Sequence, residues 1–267
     1  MARASAIDYV AGMKRVALLM AAWLTGLSSR GSSELSLMTA ETDSYDAARR
    51  QMVVEQLEGA GRGITNGRVL AAMAKVPRHE FVPERLRSQA YEDHPLPIGH
   101  GQTISQPFIV AFMTECLELK PTDRVLEVGT GSGYQAAVLA ELVAHVYSLE
   151  IVEELADRAA TNLKRLGYTN IHVRAGDGYR GWVEAAPFDG IVVTCAPERV
   201  PQPLVDQLTE GGRIMIPIGP LWNQELELLE KRGGKLERHA VLPVRFVPMT
   251  GQVQSRAEGN SRTNGVK

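Results

Sequence analysis

The stretch Val125-Leu126-Glu127-Val128-Gly129-Thr130-Gly131-Ser132-Gly133-Tyr134 constrains this chain more than any other. A short apolar run that breaks into a glycine-dense turn reads as a buried strand feeding a helix. The residues that follow, Gln135 to Leu142, are mostly good helix formers. Glycines at such a turn permit positive φ and let a ligand approach the backbone closely. A second strand, His145 to Leu149, then ends in Glu150. That acid lies about 20 residues beyond the turn, the offset of a carboxylate that holds ribose hydroxyls. A dinucleotide fingerprint would read G-x-G-x-x-G. Here the glycines are 129, 131 and 133, and Tyr134 occupies the position that would complete that fingerprint. No pyrophosphate need be bound, and the amides at the helix start are expected to serve other groups.

The E-x-G-x-G-x-G turn resembles motif I of S-adenosylmethionine-dependent methyltransferases. The surrounding pattern is compatible with it. Strands are expected at Arg124–Val128, His145–Glu150, Ile171–Ala175, Phe188–Thr194 and Arg213–Ile218, with helices at 134–143, 153–166 and 202–208. Such alternation predicts an α/β domain with a parallel sheet and right-handed crossovers. Upstream, helices are expected over 45–57, with Met52, Val53, Gln56 and Leu57 on one face and Gly59 and Gly61 as the stop, and over 68–75 behind Asn66-Gly67. The stretch Tyr91–Gly99 reads as proline-rich loop. Near the end, two strands around Gly233-Gly234 predict an antiparallel hairpin. The division expected is an extension over 1–42, a catalytic domain over 43–250 and a disordered tail over 251–267. The domain comprises a helical addition at 43–100, an α/β core at 101–220 and the hairpin at 221–250.

Net charge narrows the partners. The 267 residues carry a formal charge of -2, with 44% hydrophobic and 22% charged residues. Nothing in that balance favours nucleic acid or an acidic membrane. Cys116 and Cys195 lie in apolar stretches and read as buried free thiols, and no metal-ligand spacing occurs. Lys14-Arg15 ahead of the apolar run Val16–Leu27 has the form of an export signal, too short for a comfortable membrane span. An extension on a cytoplasmic enzyme is preferred, because S-adenosylmethionine is made in the cytosol.

Three further sites carry the chemistry. Gly176-Asp177-Gly178 is a common turn, but behind a third strand of this sheet Asp177 is placed to meet an adenine amino group. Thr194-Cys195-Ala196-Pro197 lacks the Asn/Asp-Pro-Pro-Tyr of enzymes that methylate amines, which disfavours a nitrogen acceptor. Ser105, with Pro107 behind it, has the pattern of a helix N-cap.

Gly101-Gln102-Thr103-Ile104-Ser105-Gln106-Pro107, taken with Val125–Gly133, Gly176–Gly178, Pro187-Phe188-Asp189 and Gly211-Gly212-Arg213, resembles the protein-L-isoaspartate O-methyltransferase family. The resemblance runs from about Arg50 to about Thr250, and T-I-S-x-P is its most specific part. It implies a three-layer, Rossmann-like fold with a mostly parallel seven-stranded sheet. It implies methylation of the free α-carboxylate of L-isoaspartyl residues in damaged proteins, giving an ester that closes to a succinimide. S-adenosylmethionine would be the donor, S-adenosylhomocysteine the other product, and no metal would take part. Gly129, Gly131 and Gly133 would meet the methionyl part, Glu150 the ribose and Asp177 the adenine, with Glu127 and Gly176 also on the cofactor side. Ser105 would position the acceptor, with Thr103 and Ile104 lining the site and Thr250 approaching it. The partners would be isoaspartyl proteins, the enzyme a monomer in the cytoplasm. A carboxylate is already ionised at neutral pH, so the reaction needs positioning and desolvation more than a base. No nucleophile elbow or triad surrounds Ser105, which disfavours acyl-serine chemistry.

Overall fold

Alternating side chains on the central strands sort into two apolar clusters, one on each side of a sheet. Val125, Val146, Val192 and Met215 belong to one. Leu126, Val128, Ile191, Val193, Ile214 and Ile216 belong to the other. This is the period-two arrangement of a sheet covered on both faces. The computed structural model describes residues 44–58 and 63–251. The apolar segment at 13–27, the Gly59 and Gly61 stop and the tail past Gly251 lie outside those residues.

The described residues begin helically over 44–58 (α1), and the last part, Val53–Glu58, is of the π type. Helix α2, Gly67–Lys75, is capped by the Asn66 side chain, which accepts from the amides of Arg68 and Val69. A small ribbon follows, β1 (Leu96–Gly99) against β2 (Gln102–Ile104). This corrects the expected loop. Leu96 and Ile98 are buried while Pro97 and Gly99 are exposed. A proline is tolerated on so short an edge. His100 and Gly101, at φ 52° and 68°, close the turn in the left-handed form that suits strand twist.

Helix α3 (Pro107–Cys116) leads into the main sheet. Its elements are β3 (Arg124–Val128), α4 (Tyr134–Ala140), β4 (His145–Glu150), α5 (Glu153–Arg165), β5 (Ile171–Ala175), β6 (Phe188–Val193), α6 (Gln202–Asp206), β7 (Leu208–Ile218), β8 (Gln224–Arg232) and β9 (Lys235–Val244). The seven strands run in the order β5-β4-β3-β6-β7-β8-β9. The first five are mutually parallel, and β8 and β9 are antiparallel. The hairpin turns at Gly233 and Gly234 as expected. Strand β7 begins five residues earlier than the sequence pattern indicates. Pairing with β6 jumps from Phe188 opposite Leu208 to Gly190 opposite Arg213. Gly211-Gly212 therefore forms a bulge inside the strand instead of a break before it.

Chain order reverses between β3 and β6, so the crevice beyond their carboxyl ends is where a ligand of an open α/β sheet binds.

Candidate active site

The turn after β3 is pinned to the end of β4. Gly129 N and Thr130 N donate to Leu149 O at 2.7 and 3.2 Å, and Gly133 N donates to Thr130 O at 2.8 Å. Gly131 N donates to Glu150 Oε2 at 2.8 Å. These four turn amides are thus satisfied within the protein, whereas the helix itself starts only at Tyr134. The turn contributes shape. A Cβ on Gly129 would stand 2.3 Å from Thr194 Oγ1, at a φ of 98°. The same Thr194 hydroxyl donates to Gly129 O at 2.7 Å and joins the ends of β3 and β6 across the crevice.

Glu150 is buried, and its second oxygen accepts from Val152 N at 3.0 Å. Each carboxylate oxygen so held retains a further lone-pair direction. Ile151, the next residue, is 43% exposed and lines the cavity. An apolar residue left in the open beside a buried acid marks a place for a flat apolar group. The sequence carries that signal in the Glu150-Ile151 step, and pattern reading passed over it.

The cavity in the crevice has a volume of about 810 Å³. Of the expected residues it gathers Thr103, Ile104, Ser105, Gly129, Gly131, Glu150 and Thr250. Glu127, Gly133, Gly176 and Asp177 do not form its wall. Glu127 is fully buried and accepts from Ser148 Oγ. That hydroxyl also bonds Thr130 Oγ1 at 2.5 Å, so Glu127 reaches the wall through two hydroxyls. Burial pushes its carboxyl up to about 8. Gly133 caps α4 and packs on α5, where a Cβ would stand 3.2 Å from Leu163. Asp177 caps a short 3-10 turn by accepting from Tyr179 N at 3.0 Å. Gly178 is the residue of that triplet on the wall.

Ser105 is half-buried and has no hydrogen-bond partner among the described residues. It is not the N-cap of α3. Gln106 takes that position, with Pro107 at the first helical residue and no side-chain cap. The pattern misplaces the cap by one residue because the residue before a proline is driven into extended conformation, and Gln106 has ψ 138°.

A large further part of the wall comes from the segment 243–250, which no sequence motif marks apart from Thr250. It is stitched to the end of β6 by Ala196 N to Val247 O and Met249 N to Ala196 O, both 2.8 Å. Cys195, on the wall, is half-buried instead of fully enclosed. Burial, with Glu150 and Asp177 nearby, pushes its thiol up to about 12, so it is a neutral thiol and no nucleophile. Among the described residues no group of His, Cys, Asp and Glu is placed to hold a metal ion.

The donor set fits a nucleoside. It offers a carboxylate with spare acceptor capacity for vicinal hydroxyls and apolar surface from Val128, Leu149 and Ile151 for a ring. A parallel sheet with such a site at its switch point, behind a three-glycine turn, defines a Rossmann-like methyltransferase. Comparison with known proteins makes this specific. Residues 48–254 match the family model described as protein-L-isoaspartate(D-aspartate) O-methyltransferase, and the chain belongs to that family. The Opitutus terrae protein-L-isoaspartate O-methyltransferase is 61% identical over 203 residues, 76% of this chain and 86% of that one. A solved protein-L-isoaspartate O-methyltransferase superposes with a TM-score of 0.68 at 34% identity, covering 75% of this chain and 66% of that one. A putative relative from Plasmodium falciparum, solved in complex with S-adenosyl-L-homocysteine, gives 0.65 at 29% identity, covering 76% and 98%. By family the chain is an enzyme, a protein-repair methyltransferase.

Proposed function

We propose that the crevice binds S-adenosylmethionine and the α-carboxylate of an L-isoaspartyl residue side by side, and that the chain methylates the latter. When bound, S-adenosylmethionine supplies an electrophilic methyl group. Glu150 holds the ribose through its remaining lone pairs, and Ile151 covers the base. Asp177 acts at the adenine end, beside Gly251, and Glu127 fixes the glycine turn through Ser148 and Thr130. Thr103 and Ile104 line the acceptor side, and Thr250 closes it. The Ser105 hydroxyl donates to the acceptor carboxylate and orients it. The observation that carries this reading is that Ser105 shares a wall with Gly129, Gly131 and Glu150 yet has no partner of its own. An acceptor already ionised needs a positioned donor and exclusion of water, and this wall offers both.

We take residues 43–250 as the catalytic domain and the enzyme as a cytoplasmic monomer acting on isoaspartyl proteins, with neither nucleic acid nor membrane as partner. No helix of the described residues is long and apolar enough to cross a membrane.

Ser105 provides the test. Because Gln106 is the cap, Ser105→Ala should leave thermal stability unchanged. It should lower kcat/KM for an isoaspartyl peptide about 10- to 100-fold, the worth of one hydrogen bond to a charged group. S-adenosylhomocysteine affinity, read by calorimetry, should stay the same. Ser105→Asp should fold, bind cofactor and fail to methylate, since a fixed negative charge repels the substrate carboxylate. Near-normal turnover in Ser105→Asp refutes the role.

A further inference from the structure

Two large apolar side chains stand in the open beside the cavity. Leu221 is 56% exposed and Trp222 85% exposed, and Leu221 also lines the cavity. Neither belongs to an apolar cluster of the core, so the fold does not account for them. The turn that carries them is tied at both ends by backbone hydrogen bonds. Gly219 N donates to Pro197 O at 3.0 Å and Asn223 N to Pro220 O at 2.9 Å. Gly219 has φ 126°, and a Cβ there would lie 2.2 Å from Asn223 O, so no bulkier residue fits. Trp222 stands in solvent at the tip of this turn.

A cation stands next to this turn. The buried Gln224 side chain brackets the backbone of Phe246, donating to its O at 3.1 Å and accepting from its N at 2.6 Å. This clamp, with the pairing of Gln224 and Val244, brings Arg245 to the strand end from which residues 221–223 depart, and Arg245 and Leu221 line the same cavity. Arg245 is exposed, lines the cavity and has no ion pair or hydrogen bond among the described residues. Of the described lining residues it is the sole cation, and Glu150 is the sole carboxylate. Glu150 faces two backbone amides, so Arg245 is left for something that arrives from outside.

We propose that Leu221, Trp222 and Arg245 form the docking step for the polypeptide that flanks the isoaspartyl residue, with an apolar flanking side chain on Leu221–Trp222 and an acidic one on Arg245. This rests on the reading that the acceptor carboxylate enters this cavity. A polypeptide whose carboxylate reaches Ser105 must leave over the rim, and the rim supplies an apolar shelf and one positive charge. Apolar burial and charge complementarity there would act on binding and not on the methyl transfer itself.

The experiment uses the full chain and isoaspartyl peptides that differ at one flanking position, carrying Leu, Gly, Asp or Lys. The wild type should show a lower KM for Leu than for Gly, and for Asp than for Lys. Trp222→Ala should raise KM for the Leu peptide by roughly tenfold and erase the Leu–Gly difference. Its kcat and S-adenosylhomocysteine affinity should be unchanged. Arg245→Glu should invert the Asp–Lys order. Wild-type KM values indifferent to the flank, an unaltered KM in Trp222→Ala, or an unaltered order in Arg245→Glu would each overturn the proposal. So would loss of cofactor affinity in either variant, or a dimer in light scattering that Trp222→Ala dissolves. If the wild type methylates none of these peptides, the catalytic reading fails. Methylation without flank preference removes only the docking step.

Discussion

Glu127 lies fully buried on β3, with a carboxyl that burial pushes up to about 8. In the unfolded chain an ordinary glutamate titrates near about 4.3. The folded pKa lies above the unfolded one, so between the two the native state binds more protons. The group's contribution to stability is complete below the unfolded pKa and is lost as pH rises through about 8. Glu127→Gln mimics the protonated form. Urea denaturation from pH 5 to 9 should show wild-type stability declining toward the alkaline end, with a flatter profile in Glu127→Gln. Parallel profiles would mean that Glu127 is ionised in the fold. None of this is legible in the sequence, where Glu127 is one more acid in a motif. Its burial comes from neighbouring strands and from Ser148, 21 residues away. Ser105 is decided at shorter range. The residue types at 105–107 announce a helix start, and the proline at 107, by extending the residue before it, is what moves the cap from Ser105 to Gln106.

At the scale of elements, Gly178 shows why the loop after β5 must be small. A Cβ there would stand 2.3 Å from Val128 Cγ1. Val128 is a buried side chain of β3 on the cavity wall. Gly178→Ala should cost about 1–3 kcal/mol, the usual penalty for overpacking, and weaken S-adenosylhomocysteine binding with it. Adding Val128→Ala removes the obstructing methyl, and the double variant should regain cofactor affinity. A double variant no better than Gly178→Ala alone would place the effect in the backbone. The strands β3 to β6 and the hairpin β8–β9 were legible, because apolar runs and a Gly-Gly turn are local signals. Three features were not. The ribbon β1–β2 is hidden by Pro95 and Pro97, although Leu96 and Ile98 keep strand alternation. The start of β7 is hidden by Gly211-Gly212, which read as a break and fold as a bulge. The π-type stretch at Val53–Glu58 leaves no mark, since its buried Val53 and Leu57 also satisfy helical spacing.

The cavity draws chiefly on β2 near residue 104, the turn at 129–133, the end of β4, and the segment 243–250. The first three carry motifs that the sequence marks, and the fold brings them to one cavity. The last is placed by sheet order and by its bonds to Ala196, which only the folded chain brings together. The most direct measurement gives the full chain methyl-labelled S-adenosylmethionine and two peptides identical except for one residue, aspartate in one and L-isoaspartate in the other. The account predicts label on the isoaspartyl peptide alone, as an ester that mild base releases as methanol. Equal labelling of both peptides, or none on the isoaspartyl peptide by folded protein that binds S-adenosylhomocysteine, would contradict it.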